Sequence, residues 1–120
     1  MIPRKRNKEE ATEQIKFVMH VRWLHPQILC FHIPNGGKRS KSEAALLKKM
    51  GVEAGVPDIF IAKGNSHFYG LFIEMKTKEG KLTAKQVVIR NKLKSEGYEV
   101  LLCRNFSEAY EAFKVYLSDI

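Results

Sequence analysis

The chain is short of cysteine, of long apolar runs and of acid relative to base, and each shortage narrows what it can be. Its two cysteines, Cys30 and Cys103, lie far apart, and neither belongs to a C-x-x-C pair. A structural zinc site needs four ligands at recognisable spacing, so the cysteines give it no support. Cys30 and His32 alternate with Leu29 and Phe31, which reads as buried or half-buried strand. No apolar run approaches the roughly 20 residues that cross a bilayer, so no membrane association is expected. Met1-Ile2-Pro3-Arg4-Lys5-Arg6 is basic but has no apolar stretch behind it. No secretory leader is therefore expected, and an intracellular location is the default. Zinc-finger and helix-turn-helix signatures are missing too, so nothing points to reading of a DNA sequence.

What is present is an ordinary globular composition with a strong positive bias. The 120 residues suit one domain, and 44% hydrophobic with 28% charged residues excludes a disordered chain. Twenty-one Lys and Arg against 13 Asp and Glu leave a net charge of +8. A small chain this basic commonly meets a polyanion, although lysines also serve simply as solvated helix faces. The bases cluster at Arg4-Lys5-Arg6-Asn7-Lys8 and around Lys38-Arg39-Ser40-Lys41. Residues 1–8 read as a basic arm and 9–120 as a single domain.

Periodicity then gives the elements. Glu9 to about Leu24 has helical spacing and stops at His25-Pro26, because proline disfavours helix in the residue before it. Ile28–Ile33 alternates and is rich in β-formers, so it reads as a strand. Ser40 with Glu43 forms a capping box for a helix over Ala44–Met50, which Gly51 closes. Pro57–Ala62 and Tyr69–Lys76 read as strands around the turn Gly64-Asn65-Ser66. Thr83 with Gln86 opens a helix that ends near Glu96-Gly97. Tyr98–Cys103 is a last strand and Ser107–Ser118 a last helix. The order α-β-α-β-β-α-β-α predicts a mixed sheet with helices on both faces. A short turn makes neighbouring strands antiparallel, and a helical crossover makes them parallel.

Three charged residues break the apolar strands. Pairing through the Asn65-Ser66 turn sets position 58 opposite position 74, give or take two residues. Opposed residues share a face with Cβ atoms roughly 5 Å apart. Asp58 and Glu74 therefore meet, and Lys76 shares their face under the two-residue period. Carboxylates this close repel unless one is protonated or a cation lies between them. A hard divalent ion resolves the repulsion with oxygen ligands and keeps water for chemistry. A lysine beside it can orient or deprotonate that water, or stabilise charge on a phosphate. A cross-strand salt-bridge cluster is the competing reading. Against it stand the apolar flanks Ile59-Phe60-Ile61 and Leu71-Phe72-Ile73, among which charges without a use are costly.

Pro57-Asp58, fifteen residues, and Glu74-Met75-Lys76 resemble the PD-(D/E)xK nuclease motif. More closely, the chain resembles the virus-type replication-repair nuclease (VRR-NUC) domain. The likeness lies in an ordered series: His32-Ile33-Pro34-Asn35-Gly36-Gly37-Lys38-Arg39, Gly51 to Asp58, Ile73-Glu74-Met75-Lys76, Gly80-Lys81-Leu82-Thr83, Gln86, and Gly97-Tyr98-Glu99-Val100.

The resemblance implies the restriction-endonuclease-like core that junction-resolving enzymes also use. It implies catalytic Asp58, Glu74 and Lys76, with Mg²⁺ or Mn²⁺ held by Asp58, Glu74 and the main-chain carbonyl of Met75. A glutamate on the first helix is implied as well; Glu10, one turn from Gln14, fits best and Glu13 is its rival. Gln86 falls on the family's glutamine position, while its capping role for Thr83 is an equally good account. Asn35, Gly36, Gly37, Lys38 and Arg39 read either as a phosphate-gripping loop or as a mobile connection. The implied activity is structure-selective cutting of DNA, with a four-way junction as substrate and a homodimer as enzyme, in phage or mobile-element replication or repair. Candidate dimer elements are the first helix, with Phe17, Val21, Trp23 and Leu24, and the last, with Tyr110, Phe113, Tyr116 and Leu117. The rival readings are a non-catalytic DNA-binding module on the same fold and a nuclease for flap or branched DNA without junction resolution.

Overall fold

A computed structural model describes residues 8–34 and 40–119. The elements follow the expected order: α1 (Lys8–Leu24), β1 (Cys30–His32), α2 (Lys41–Met50), β2 (Ile59–Ile61), β3 (Leu71–Met75), α3 (Ala84–Ser95), β4 (Glu99–Cys103) and α4 (Phe106–Ser118). Lys8, read from the charge run as the end of the basic arm, is the first residue of α1. The rest of the arm lies outside the described residues, as does the segment Asn35–Arg39.

The strands line up as β1-β2-β3-β4. β1 and β2 pair antiparallel, as do β2 and β3, while β4 runs parallel to β3. The parallel neighbour follows from the α3 crossover, which carries the chain back to the end of the sheet where β3 began. Each strand is shorter than its alternating pattern, but single hydrogen bonds continue the pairing past the ends. Ala62 N donates to the Leu29 carbonyl and Ile33 N to the Asp58 carbonyl.

Side-chain alternation divides the sheet into two unlike faces. One presents Cys30, Ile59, Ile61, Leu71, Ile73, Met75 and Cys103 to α1 and α4, whose Phe17, Val21, Ala109, Phe113 and Tyr116 complete the main core. Phe17 and Phe113 meet edge-to-face with ring centroids 5.9 Å apart, a geometry that adds about 0.5–1.5 kcal/mol to simple burial. The other face carries Phe31, Phe60 and Phe72 side by side in register, with Tyr98 against them. Asp58, Glu74 and Lys76 continue that second face toward the end of β3.

The caps explain where the helices stop and start. Thr83 Oγ1 accepts from Gln86 N, and Gln86 Oε1 accepts from Thr83 N, so the capping box of α3 is complete. On α2 the Ser40 half of its box is made, with Oγ accepting from Glu43 N. Gly51 closes α2 at φ 111°, a left-handed conformation that costs glycine little. Asn105 caps α4 by accepting from Glu108 N.

One expectation about surfaces is corrected. Phe17, Val21 and Phe113 are 0% exposed and Tyr116 is 5% exposed. They belong to the protomer's interior and cannot form a dimer contact, because the sheet takes the apolar faces of both helices. Trp23 is 79% exposed. With Ile15 and Met19 it forms an exposed stripe at four-residue spacing on the side of α1 away from the sheet.

Burial pushes the thiols of Cys30 and Cys103 up to about 11. A raised pKa keeps both as unreactive thiols at neutral pH. At pH 8, iodoacetamide is expected to leave both cysteines of the folded protein unmodified over the time in which it labels both in urea. Rapid labelling of the native chain would contradict their placement. Phe113→Ala is expected to lower the unfolding free energy by about 3–5 kcal/mol. Trp23→Ala should change it by less than about 0.5 kcal/mol, as read from urea unfolding curves of the two variants.

Candidate active site

The register of β2 with β3 pairs Ile59 with Ile73. Extended by one residue, it sets Asp58 opposite Glu74, at the position expected from the turn. All three charged residues are buried: Asp58 is 9% exposed, Glu74 5% and Lys76 3%. Regular pairing ends at Ile59, and the Asp58 side chain takes over the next donor of the ladder. Its Oδ2 accepts from Met75 N at 2.8 Å, so the motif's central amide is tied to the motif's aspartate. The Asp58 main-chain carbonyl accepts from Ile33 N at 2.7 Å. Asp58 is thereby fixed to β1 on one side and to β3 on the other.

Lys76 leaves β3 directly after the last paired residue. Its own N–H donates to the Cys103 carbonyl at 3.0 Å, which holds the backbone of the Glu74-Met75-Lys76 stretch in line with β4. The loop beyond it is fastened by Arg104, whose Nη1 donates to the carbonyls of Thr77, at 2.7 Å, and Gly80. Nothing in the linear pattern singled out Arg104; it follows the last strand like any loop arginine.

Gln86 and Glu74 line one cleft between α3 and the sheet, together with Gly55, Pro57 and Arg90. Gly55 is at φ 90°, and a Cβ there would stand 2.9 Å from Lys85 Cγ and 3.1 Å from the Lys85 carbonyl. Glycine thus lets the segment leading into Pro57-Asp58 lie against α3. The Gln86 carbonyl oxygen is committed to the Thr83 amide.

The two glutamates of α1 go different ways. Glu10 is 9% exposed and Gln14 8%, on the inward face of the helix. Gln14 Nε2 lies 2.9 Å from His32 Nδ1, which is also 2.9 Å from the Asp58 carbonyl. A proton on Nδ1 donates to that carbonyl; with the proton on Nε2, Nδ1 accepts from Gln14. Either way the Glu10 side of α1 is linked to Asp58 through His32, a residue whose motif position was noted but whose contact was not anticipated. Glu13 instead accepts from Phe106 N at 3.0 Å, at the start of α4, and pairs with Lys16. The Phe106 amide holds the Glu13 carboxyl below the usual range.

Among the described residues, no three His, Cys, Asp or Glu side chains are gathered closely enough to hold one ion. The side-chain donors of the Asp58–Glu74 pair are therefore two carboxylates. Such a set suits Mg²⁺, which usually takes one or two carboxylates and retains several waters. The expected phosphate loop, Asn35, Gly36, Gly37, Lys38 and Arg39, lies outside the described residues. No helix among the described residues is long and apolar enough to cross a membrane.

Comparison with known proteins gives the fold and the family. No curated protein matches the chain. A solved structure named "VRR_NUC domain protein" superimposes with a TM-score of 0.78 over 95% of this chain and 92% of its own, at 24% sequence identity. That likeness shows the shared fold, a mixed sheet flanked by helices and consistent with the PD-(D/E)xK core. The family model described as the VRR-NUC domain matches residues 8–106, from the first residue of α1 to the first of α4. The chain belongs to the VRR-NUC domain family, a family of nucleases.

Proposed function

We propose that the protein is a metal-dependent endonuclease that cuts branched DNA, with four-way junctions as its principal substrate and a homodimer as its working form. The observation that carries the catalytic part is the pairing of Asp58 and Glu74 across β2 and β3, with Lys76 two residues on and all three buried. Burying two like charges and a lysine in an otherwise apolar sheet costs stability that a salt-bridge cluster on a surface would avoid. Binding of a cation and a phosphate returns that cost as function.

Asp58, Glu74 and the Met75 carbonyl would hold Mg²⁺ or Mn²⁺. When bound, the ion would neutralise charge on the phosphate and lower the pKa of a ligated water. The chain's own groups do the rest. The Met75 amide holds the Asp58 carboxylate through Oδ2, which fixes the direction of the carboxylate at the site. Lys76 sets a positive donor beside the reacting phosphate, where it stabilises developing charge or orients the attacking water. Gln86 would use its NH₂ group to hold that water or a phosphate oxygen. Water adds to phosphorus, one P–O ester bond breaks, and the departing oxygen takes up a proton, leaving a phosphate monoester and a hydroxyl. Of the two α1 glutamates, Glu10 is the one that supports the site, acting through water or through Gln14 and His32, while Glu13 serves α4.

The net charge of +8 and exposed lysines at Lys78 and Lys81, in the loop after Lys76, favour a polyanionic substrate. One site cuts one strand, so paired cuts in a junction call for two sites related by a two-fold axis. The exposed Ile15, Met19 and Trp23 stripe supplies apolar surface for such a contact.

Asp58→Ala and Glu74→Ala are each expected to abolish Mg²⁺- or Mn²⁺-dependent cutting while DNA binding persists. Cleavage at the wild-type rate in saturating metal would remove either residue from the site. Lys76→Ala should reduce the single-turnover rate by about a hundredfold or more, with a smaller change in affinity; a change in affinity alone would overturn its role. Light scattering at micromolar protein should give twice the chain mass, and a four-way junction labelled on each strand in turn should be cut at symmetric positions. A monomer that cuts flaps and spares junctions would contradict the substrate and assembly together.

A further inference from the structure

Lys76 is 3% exposed, while every other lysine among the described residues is half-buried or exposed. A lysine stem rotates freely unless something packs along it. Here the packing comes from the turn at residues 77–80, which Gly80 N closes by donating to the Thr77 carbonyl at 3.1 Å. The turn lies directly on the stem. A Cβ at Gly80 would stand 3.3 Å from Lys76 Cβ and 3.4 Å from Lys76 Cδ, and glycine is what allows that approach.

Little in the turn itself keeps it there. It has no apolar side chain to anchor it: Thr77 and Gly80 are half-buried, and Lys78 and Glu79 are exposed. Arg104 holds it from outside. Extending the β3–β4 register by one residue sets Arg104 beside Lys76. Arg104 Nη1 donates to the Thr77 carbonyl at 2.7 Å and to the Gly80 carbonyl, the two ends of the turn. Arg104 is fixed in its turn by the start of α4, where Glu108 Oε1 accepts from its main-chain N at 2.9 Å. Hydrogen bonds from a charged donor are roughly twice as strong as neutral ones. A guanidinium also presents its donors in one rigid plane, which the flexible ammonium of a lysine does not reproduce.

We propose that Arg104 is a positioning residue for Lys76: it clamps the turn at residues 77–80 over the lysine stem and so sets where the ammonium stands when a strand is cut. This rests on the nuclease reading of the Asp58, Glu74 and Lys76 site. Arg104 touches neither the metal nor the DNA; it acts through the turn. A side chain ordered before the reaction does not have to be ordered during it, so the clamp shows in the rate of cutting more than in the affinity for DNA.

The test is a double-mutant cycle on the full chain, with single-turnover cutting of a labelled four-way junction measured well below the melting temperature of each variant. Arg104→Met keeps the length of the side chain and removes its donors. It is expected to slow cutting about tenfold in the wild-type background, the scale of a misplaced catalytic group. In the Lys76→Ala background it should slow cutting by less than about twofold, because the group that the clamp positions is gone. Arg104→Lys should recover part of the rate, and it carries the same cycle should Arg104→Met not fold. An equal loss in both backgrounds would overturn the proposal, since that is the signature of a general structural role. So would a loss confined to junction affinity, read by anisotropy in EDTA. A second readout needs no cutting. In protein made with isotope-labelled lysine, the Lys76 ε-carbon resonance is the one missing from Lys76→Ala. It should stand apart from those of the exposed lysines and move toward them in Arg104→Met; a resonance that Arg104→Met leaves in place would overturn the proposal. The nuclease reading fails separately, if the wild type cuts no DNA in Mg²⁺ or Mn²⁺.

Discussion

One hydrogen bond, from the Met75 amide to the Asp58 carboxylate, holds the charged end of the sheet together. It comes where the β2–β3 ladder runs out, so the side chain of one strand replaces the backbone acceptor that the ladder would have supplied. The same residue's carbonyl receives the Ile33 amide, which ties the edge strand β1 to the same point. Asp58 is therefore the residue through which β1, β2 and β3 are joined at that end. A buried acceptor satisfied in this way is worth about 0.5–3 kcal/mol, and more of its value lies in fixing the carboxylate's direction than in stability.

The rest of the fold serves that constraint. The face of the sheet toward α1 and α4 is a dry core of aliphatic and aromatic residues with Phe17 and Phe113 at its centre, and it keeps the strands in fixed register. The opposite face carries the aromatic row Phe31, Phe60 and Phe72 and then the charged cluster. A shift of one residue in the β2–β3 register would move Asp58 to the core face, so the apolar alternation that stabilises the fold also aligns the site. Gly55 brings the loop before Asp58 against α3, and the Thr83–Gln86 capping box sets where α3 begins. Both fix how α3 sits against the sheet at the cleft that Glu74 and Gln86 line.

Most of the architecture is legible in the sequence because its signals are local. Pro26, Thr83 with Gln86, and Gly51 mark helix ends through backbone chemistry that does not depend on the rest of the molecule. The placement of Asp58 opposite Glu74 needed only a turn and a period of two. What was not legible depends on contacts between distant segments. His32 touches both Gln14 and Asp58 only because α1 and β2 flank β1. Glu13 is tied to the start of α4, ninety-three residues away in the chain, a contact that no local pattern announces. The aromatic residues of α1 and α4 looked like surplus surface, but periodicity cannot tell how much of a helix a sheet will cover. Phe17 and Phe113 are interior while Trp23 is exposed.

The central claim is that Asp58 and Glu74 form one divalent-metal site. It is tested most directly by titrating Mn²⁺ into the metal-free protein in the absence of DNA and following the loss of the free-ion electron paramagnetic resonance signal. The account predicts that the wild type takes up Mn²⁺ at a site that is lost in both Asp58→Asn and Glu74→Gln, while the two variants keep the wild-type fold by circular dichroism. Mn²⁺ uptake of undiminished affinity in the Asp58→Asn/Glu74→Gln double variant would contradict it.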